Sequence, residues 1–361
     1  MREFEIEQLR ANSRFLIREL QERGVELELL DYQQETYLAQ YRGRTELLVD
    51  LDGSAMPYSA EASANHKWIA KRLLARAGLA VPKGERFFPN QANEAVLYAK
   101  QLGFPVVVKP CVGSGGVGVE LDLDSLNEVD QAIDRLFRRY VPAPHFIVEE
   151  QFAGREFRVF ITRSGAFASL ARDPACVIGD GEKGIEALVF AESYRRTHPR
   201  ASSAGAIPLD EATLRHLARQ GRSLATVPAR GEKIYLRKNS NVSTGATCAD
   251  VTEETHPSVI ELCRRALAAI PGLPYVGVDF MTADIGAAQT DASYRIIELN
   301  TNPGIGMHAA PSAGRGRDVA GWIADLIFPE TRASAAERTG AIAPLPSPAA
   351  PVGAQPMERS A

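Results

Sequence analysis

Cysteine is scarce in this chain: Cys111, Cys176, Cys248 and Cys263 are the only four, and no two of them form a CxxC pair. That spacing supports neither a zinc site nor a disulfide framework, so the four read as reduced thiols. Cys111 lies in the richest motif of the chain but has no histidine beside it, and a packing or loop role accounts for it better than nucleophilic catalysis. Long apolar runs are missing as well. No stretch approaches the roughly 18 uninterrupted apolar residues of a membrane span, and the opening MREFEIEQLR alternates charges where a signal peptide would carry an apolar region. Nor does one sign of charge dominate, since 41 basic side chains stand against 45 acidic ones for a net charge of −4, which implies no polyanion partner. Fixed-period repeats and heptads are absent, which excludes solenoids and coiled coils. A cytoplasmic globular protein is expected, with no nucleic-acid partner and no membrane partner.

What is present is enough chain, 361 residues, for two or three packed units around a shared cleft. Residues 5–23 space Ile6, Leu9, Phe15, Leu16 and Leu20 along one helical face that stops at Gly24. VELELLD and the short runs near Tyr37 and Leu47 alternate like strands and complete a small α/β unit. After the polar stretch SAEASAN, the segment HKWIAKRLLARAG reads as a helix with Asn65 as its cap and Gly78 as its stop, followed by the extended VPKGERFF. A second helix, QANEAVLYAKQLG, leads into FPVVVKP, a glycine loop, and a third helix capped by Asp124 or Ser125 that runs to about Tyr140. HFIVEEQF, REFRVFIT and GAFASLAR continue as strands, and residues 179–204 read as a polar, basic segment containing a mobile loop. The remainder supplies a helix near 210–220, the strand KIYLRK, the loop NSNVSTGAT, a helix after Pro257, a hairpin over 275–300 and a last helix ending near Phe328. This is an α/β layout. From Thr331 to Ala361 the Ala- and Pro-rich tail lacks the large apolar side chains that would offset ordering entropy, and disorder is expected there.

Two constellations carry chemistry. The glycine loop GSGGVG, residues 113–118, is followed by a strand, whereas a dinucleotide-binding turn needs a helix to begin at the loop. Walker A chemistry drops out because Lys109 precedes the glycines and no GK[ST] closes the loop. There remain a hairpin tip whose N–H groups can fold over phosphates and, as the plain alternative, a surface turn. The second constellation is Asp279 in YVGVDFM with Glu298 and Asn300 in YRIIELN. A hairpin loop centred near residues 288–289 places Asp279 opposite Glu298, with Asn300 two residues on along the same strand face. Two carboxylates and a carboxamide then converge, an oxygen-only set that suits Mg²⁺. An exposed acidic hairpin is the alternative, but Glu298 interrupts the apolar run IIEL, where an unpaired charge is costly.

Lys67, Lys109 with GSGGVG, VEEQFAGREFRV, Asp279 and ELNTNPG occur in the order that marks the ATP-grasp superfamily, and the chain resembles it from about residue 5 to Phe328. Through GDGEKGIEAL, PARGEKIYLRKNSNVSTGAT, VGVDFM and IIELNTNPGIGMH it is most similar to the ATP-grasp portion of bifunctional γ-glutamylcysteine–glutathione synthetases, and next to the central domain of cyanophycin synthetase. The resemblance implies an ATP-grasp fold of class α/β (α+β), two α/β lobes gripping ATP: an N-terminal α/β domain over 1–63, a subdomain with the phosphate loop over 64–148, a catalytic subdomain over 149–330, and the tail 331–361. It implies that Lys67 and Lys109, with Gly113, Ser114, Gly115, Gly116 and Gly118, hold ATP phosphates. Glu149, Glu150, Gln151 and Phe152 would receive adenine, mainly through backbone groups, and Glu156 the ribose hydroxyls. Asp279, Glu298 and Asn300 would bind two Mg²⁺ ions, with Mn²⁺ as an alternative. Arg237 and the loop Asn239 to Thr244, with Asn241 and Thr244 as catalytic positions, would stabilise an acyl phosphate.

Plain alternatives stand beside these roles. Lys67 shares its helix with Lys71 and Arg72 and could belong to a solvated basic face. Arg237 could pair with Glu232 as a surface bridge, His308 has no visible metal partner, and Asn302, Pro303 and Gly304 could simply turn the chain. The sequence also departs from its relatives. D-alanine–D-alanine ligases carry an arginine where Gly277 stands, and Arg237 is the expected substitute; Ala246 replaces a glycine in the substrate loop, and Cys176 stands where asparagine is common. The bifunctional glutathione enzymes have a glutamate–cysteine ligase region of several hundred residues ahead of the grasp that this sequence lacks, so γ-glutamylcysteine is expected to come from elsewhere. The expected activity is ATP-dependent ligation of a small-molecule carboxylate to an amine, glutathione-synthetase-like. The alternatives are a cyanophycin-type or specialised-metabolite ligase and a non-catalytic nucleotide-binding regulatory protein. A homodimer stays open.

Overall fold

A computed structural model describes residues 6–197 and 205–332. The apolar stripe that begins the chain forms helix α1 (Ala11–Glu22), which packs on an antiparallel meander of β1 (Glu26–Asp31), β2 (Thr36–Tyr41) and β3 (Arg44–Val49). SAEASAN, expected to be a polar connection, is helical: α2 spans Tyr58–Asn65 and buries only Ala60 and Ala64, a face too small to register as hydrophobic periodicity. Asn65 therefore ends α2, and the cap of α3 (Lys67–Arg76) is His66, whose ring nitrogen accepts from the Ile69 N–H at 3.4 Å.

The next unit is a four-stranded antiparallel sheet in the order β4 (Gly84–Phe87), β7 (Phe146–Glu150), β5 (Val106–Pro110), β6 (Glu120–Leu123). Helices α4 (Ala92–Leu102) and α5 (Leu126–Arg139) close its core on Val106, Val108, Phe146 and Val148. Ser125 caps α5 by accepting from the Glu128 N–H at 3.2 Å. The expected division between 148 and 149 falls inside β7.

The largest sheet has the order β12 (Thr247–Asp250), β9 (Phe167–Asp173), β8 (Arg155–Thr162), β13 (Tyr275–Thr282), β14 (Tyr294–Asn300), and helix α8 (Pro257–Ala268) lies against it. A small satellite pairs β10 (Cys176–Ile178) with β11 (Lys233–Tyr235) under α6 (Ile185–Thr197) and α7 (Glu211–Arg219), around Val177, Val189, Leu217 and Ile234. Much of the polar, basic segment 179–204, expected to contain a mobile loop, is thus α6, anchored by Ile185 and Val189; residues 198–204 lie outside the described residues, as does the tail beyond Arg332. The turn of helix α9 (Gly306–Ala309) and helix α10 (Val319–Ile327) bring the chain back onto α1. One apolar core runs from Leu16, Tyr37 and Leu48 of the N-terminal unit through Val276 and Val278 to Ile323, so that unit has no core of its own.

Asp52 marks this shared interface, where the Tyr275 hydroxyl donates to its Oδ1 at 2.9 Å and to Leu51 O at 3.2 Å. Burial pushes the Asp52 carboxyl up to about 6, the Tyr275 bond opposing it and the neighbouring Glu61 and Asp50 charges adding to it. Because the folded value lies above the unfolded one, Asp52 favours folding below its unfolded value and loses that contribution as pH rises through about 6. Asp52→Asn should therefore gain about 1–2 kcal/mol of stability at pH 8, after allowing for partial exposure, and little at pH 4. Urea unfolding at the two pH values checks this, and equal effects at both would refute it.

Candidate active site

The site begins at the β13–β14 hairpin, where Asp279 lies opposite Glu298; a bulge between Asp279 and Phe280, whose own partner is Ile296, shifts the register by one residue at this point. Asn300 Nδ2 donates to Glu298 Oε1 at 3.4 Å. On the other side of β13, Asp279 faces Arg158 of β8, whose Nε reaches Asp279 Oδ1 at 2.5 Å. Arg172 of β9 adds its Nη1 to the same oxygen at 2.9 Å. Burial alone would raise the Asp279 carboxyl, but the two guanidinium groups outweigh it and hold it below the usual carboxylate range. Glu298 goes the other way: burial and the Asp279 charge push it up, and Lys67 at 3.2 Å only partly offsets them.

Among the described residues no group of three or more His, Cys, Asp or Glu side chains gathers as a metal site. The set here is two carboxylates and a carboxamide, and its donor chemistry fits a hard divalent cation, whose charge would relieve the repulsion between Asp279 and Glu298.

Three lysines flank this hairpin. Lys67, at the start of α3, also donates to Gly113 O at 2.6 Å and so ties the glycine loop to Glu298. Lys109 of β5 and Lys71 of α3 share one carboxylate, Glu149, at 2.5 and 2.7 Å. Glu149 is 3% exposed; burial would raise it, and the two ammonium charges pull it below its ordinary value instead.

The glycine loop crosses from the four-stranded sheet to the segment after β11. Gly113, Gly115, Gly116 and Gly118 all have positive φ, and a side chain at Gly116 would run into the Asn241 amide. Thr244 Oγ1 donates to Asn241 O at 3.0 Å and shapes that segment. Arg172, held on Asp279 of β13, fixes that segment as well, because Nε donates to Ser240 O at 2.9 Å and Nη2 to Asn241 Oδ1 at 3.1 Å. The same side chain meets Glu156 Oε1 at 3.0 Å, and the Ser240 hydroxyl donates to Glu156 Oε2. Arg237 is buried and pairs with Asp210, not with Glu232, which is held by Arg222 at 2.5 Å.

Residues 66–143, from α3 through the glycine loop to just past α5, match the family described as carbamoyl-phosphate synthase L chain, ATP binding domain. The cyanophycin synthetase of Trichormus variabilis is 36% identical over 266 residues, which is 73% of this chain and 29% of that protein. The glutathione biosynthesis bifunctional protein GshAB of Desulfotalea psychrophila is 30% identical over 319 residues, 88% of this chain and 41% of that one. The crystal structure of a bifunctional glutathione synthetase from Pasteurella multocida superposes with a TM-score of 0.63 at 27% identity, covering 89% of this chain and 44% of the other. The chain carries an ATP-grasp domain. It spans less than half the length of each of these relatives.

Within the ATP-grasp cleft, Lys67, the glycine loop, Glu156, Asn241, Asp279, Glu298 and Asn300 are brought together by direct contacts, and Lys109 is held beside them through Glu149, which it shares with Lys71. The linker residues behave differently. The N–H groups of Glu150 and Gln151 already donate to Lys83 O and Pro105 O, which leaves these two residues their carbonyls and side chains for other contacts. The Gln151 side chain turns away to Asp122, the Phe152 ring lies under Arg295 at 4.7 Å, and Arg295 also holds Glu150 at 3.2 Å. Arg158, Arg172 and Lys71 were not singled out by sequence reasoning. The space beside Asp279 is filled by Arg158: a Cβ on Gly277 would come within 3.2 Å of its Cδ and 2.5 Å of Pro303 Cβ. The only sequence signal of Arg158 and Arg172 was a basic residue interrupting an apolar strand, in EFRVFI and SLAR.

The opposite shifts of the carboxylate pair set a pH dependence. Glu298 keeps its proton to higher pH than an ordinary glutamate, and a cation requires it ionised, so Mg²⁺ binding should release protons and weaken as pH falls through that raised value. Calorimetric titration with Mg²⁺ in two buffers of different ionisation enthalpy, repeated over a range of pH, measures the proton release; identical heats in the two buffers at every pH would rule it out.

Proposed function

We propose that the chain is a cytoplasmic ATP-dependent ligase that joins a carboxylate to an amine through an acyl phosphate, acting on amino acids or short peptides. The observation that carries this reading is the convergence of the Asp279–Glu298–Asn300 set with Lys67 and Lys109 beneath a glycine loop that reaches the Asn241 segment. The names of the relatives, cyanophycin synthetase and glutathione biosynthesis bifunctional protein, support that substrate class.

A carboxylate does not condense with an amine at neutral pH because its oxygen is a poor leaving group. Transfer of the γ-phosphoryl group of ATP to the carboxylate oxygen breaks its bond to the β-phosphate oxygen, releases ADP and creates a mixed anhydride; the free amine attacks the acyl carbon, phosphate departs with the bonding pair, and the nitrogen loses a proton. Lys67 and Lys109 bind the phosphate oxygens during transfer, and Arg237 faces the charge that develops on the acyl group. Asp279, Glu298 and Asn300 would hold Mg²⁺, as two ions in this reading, which when bound supplies further charge neutralisation on the phosphates. The glycine loop excludes water from the anhydride. Glu156, pinned by Arg172 and Ser240, offers its carboxylate to ribose hydroxyls.

A ligase forms ADP efficiently only when carboxylate and amine are both present, whereas a regulatory nucleotide-binding protein binds without turnover. A screen of amino acids and dipeptides for ADP release, with mass detection of the amide, decides between them. Glu298→Ala should lower ADP formation at least about 100-fold with the fold intact by circular dichroism, because it removes charge needed at the phosphates. Near-normal turnover by that folded variant would overturn the assignment of the set.

A further inference from the structure

Every cation of the cleft has a carboxylate partner, and the partners differ in what they can release. Lys71 and Lys109 share buried Glu149, Arg158 and Arg172 share buried Asp279, and Lys67 rests on Glu298. Withdrawing any of these carboxylates would leave a buried charge unpaired or dismantle the nucleotide and metal set. Arg237 is different. Its side chain is 7% exposed, yet its partner Asp210 is 51% exposed and belongs to neither set. Among the described residues Arg237 Nε is buried without a hydrogen-bond partner, and Nη2 is engaged by the Asp210 ion pair. Asn239 Oδ1, two residues along, is buried and unpartnered too. A guanidinium with donors left over, facing a carboxylate that reaches in from solvent, is incompletely satisfied by its own chain.

Asp210 is placed to do this by local structure. It is the N-cap of α7, where its side chain accepts from the Thr213 N–H at 3.1 Å, and Thr213 Oγ1 donates back to Pro208 O at 2.9 Å. The residues leading into the cap lie on the loop after β11, since a Cβ at Gly245 would come within 2.7 Å of Ile207. The cap bond remains if the carboxylate leaves Arg237, so release does not unravel the helix.

We propose that Asp210 is an exchangeable counter-ion: it holds Arg237 in the free protein, and the anionic oxygens of the carboxylate substrate or its acyl phosphate displace it. The proposal rests on the ligase reading for the identity of the incoming anion. Asp210 then sets specificity, because an anion must outcompete an internal carboxylate and only one that engages the leftover donors of Arg237 gains by doing so.

Inorganic phosphate, titrated calorimetrically into the free full chain and into the chain with MgADP, tests this. Asp210→Asn keeps the cap and removes the charge, and it should tighten phosphate about five-fold, the scale of a partly exposed ion pair. Asp210→Ser, a second uncharged cap, should do the same, and thermal melting checks that each variant is folded. Arg237→Met should weaken phosphate, and adding Asp210→Asn to it should change nothing further. Unchanged or weaker binding by both cap variants, no phosphate binding by any protein, or an equal gain in the Arg237→Met background would each overturn the counter-ion role. Failure of the ligase reading looks different: MgADP would not bind, or no carboxylate–amine pair would yield ADP, while the phosphate titration of the free chain still decides the role of Asp210.

Discussion

The cleft depends on one buried carboxylate. Asp279 sits on the central strand pair of the largest sheet, and both Arg158 and Arg172 point at its Oδ1. Neither arginine stops there. Arg158 donates to Pro303 O at 3.1 Å and so fixes the turn after Asn300, while Arg172 reaches Glu156, Ser240 O and Asn241 Oδ1. Breaking a buried pair of this kind by removing one partner costs about 3–5 kcal/mol, because the remaining charge stays desolvated. The positions of Glu156, of the Asn241 segment and of the 301–304 turn are therefore set by the same charge that places the carboxylate set.

Around that centre the positive charges of the cleft are partitioned among carboxylates of unequal availability. Glu149 is shared by two lysines, one on a strand and one on a helix, which joins α3 to the four-stranded sheet. Lys67 joins the same helix to both Glu298 and the glycine loop. The lobes are thus connected through charged groups in the cleft as well as by apolar packing. A polyanionic ligand entering there exchanges internal ion pairs for its own, which spares it part of the cost of meeting uncompensated charge. The N-terminal unit adds rigidity from behind, since Asn302 donates to Asp50 at 2.5 Å and Asn65 to Thr301 at 2.9 Å.

Sequence by itself indicated the β13–β14 hairpin and the pairing of Asp279 with Glu298, because a period of two puts Glu298 and Asn300 on one strand face; the bulge between Asp279 and Phe280 that shifts the register by one residue left no mark in that alternation. It also determined the strand–glycine loop–strand order around Lys109 and most helices with a broad apolar face, including α5 with its Ser125 cap. Tertiary structure decided the rest. Helix α2 buries two alanines and α6 sits in a basic, polar stretch, so neither has a strong periodic signature. Strands β10 and β12 are three and four residues long, too short for alternation to show, and are fixed by pairing with β11 and β9. Arg158, Arg172, Lys71 and Asp210 gain their meaning from partners 121, 107, 78 and 27 residues away in the chain, the last from Asp210 to Arg237. Local pattern records which face a residue occupies; which charge it meets there is settled only when the sheets assemble.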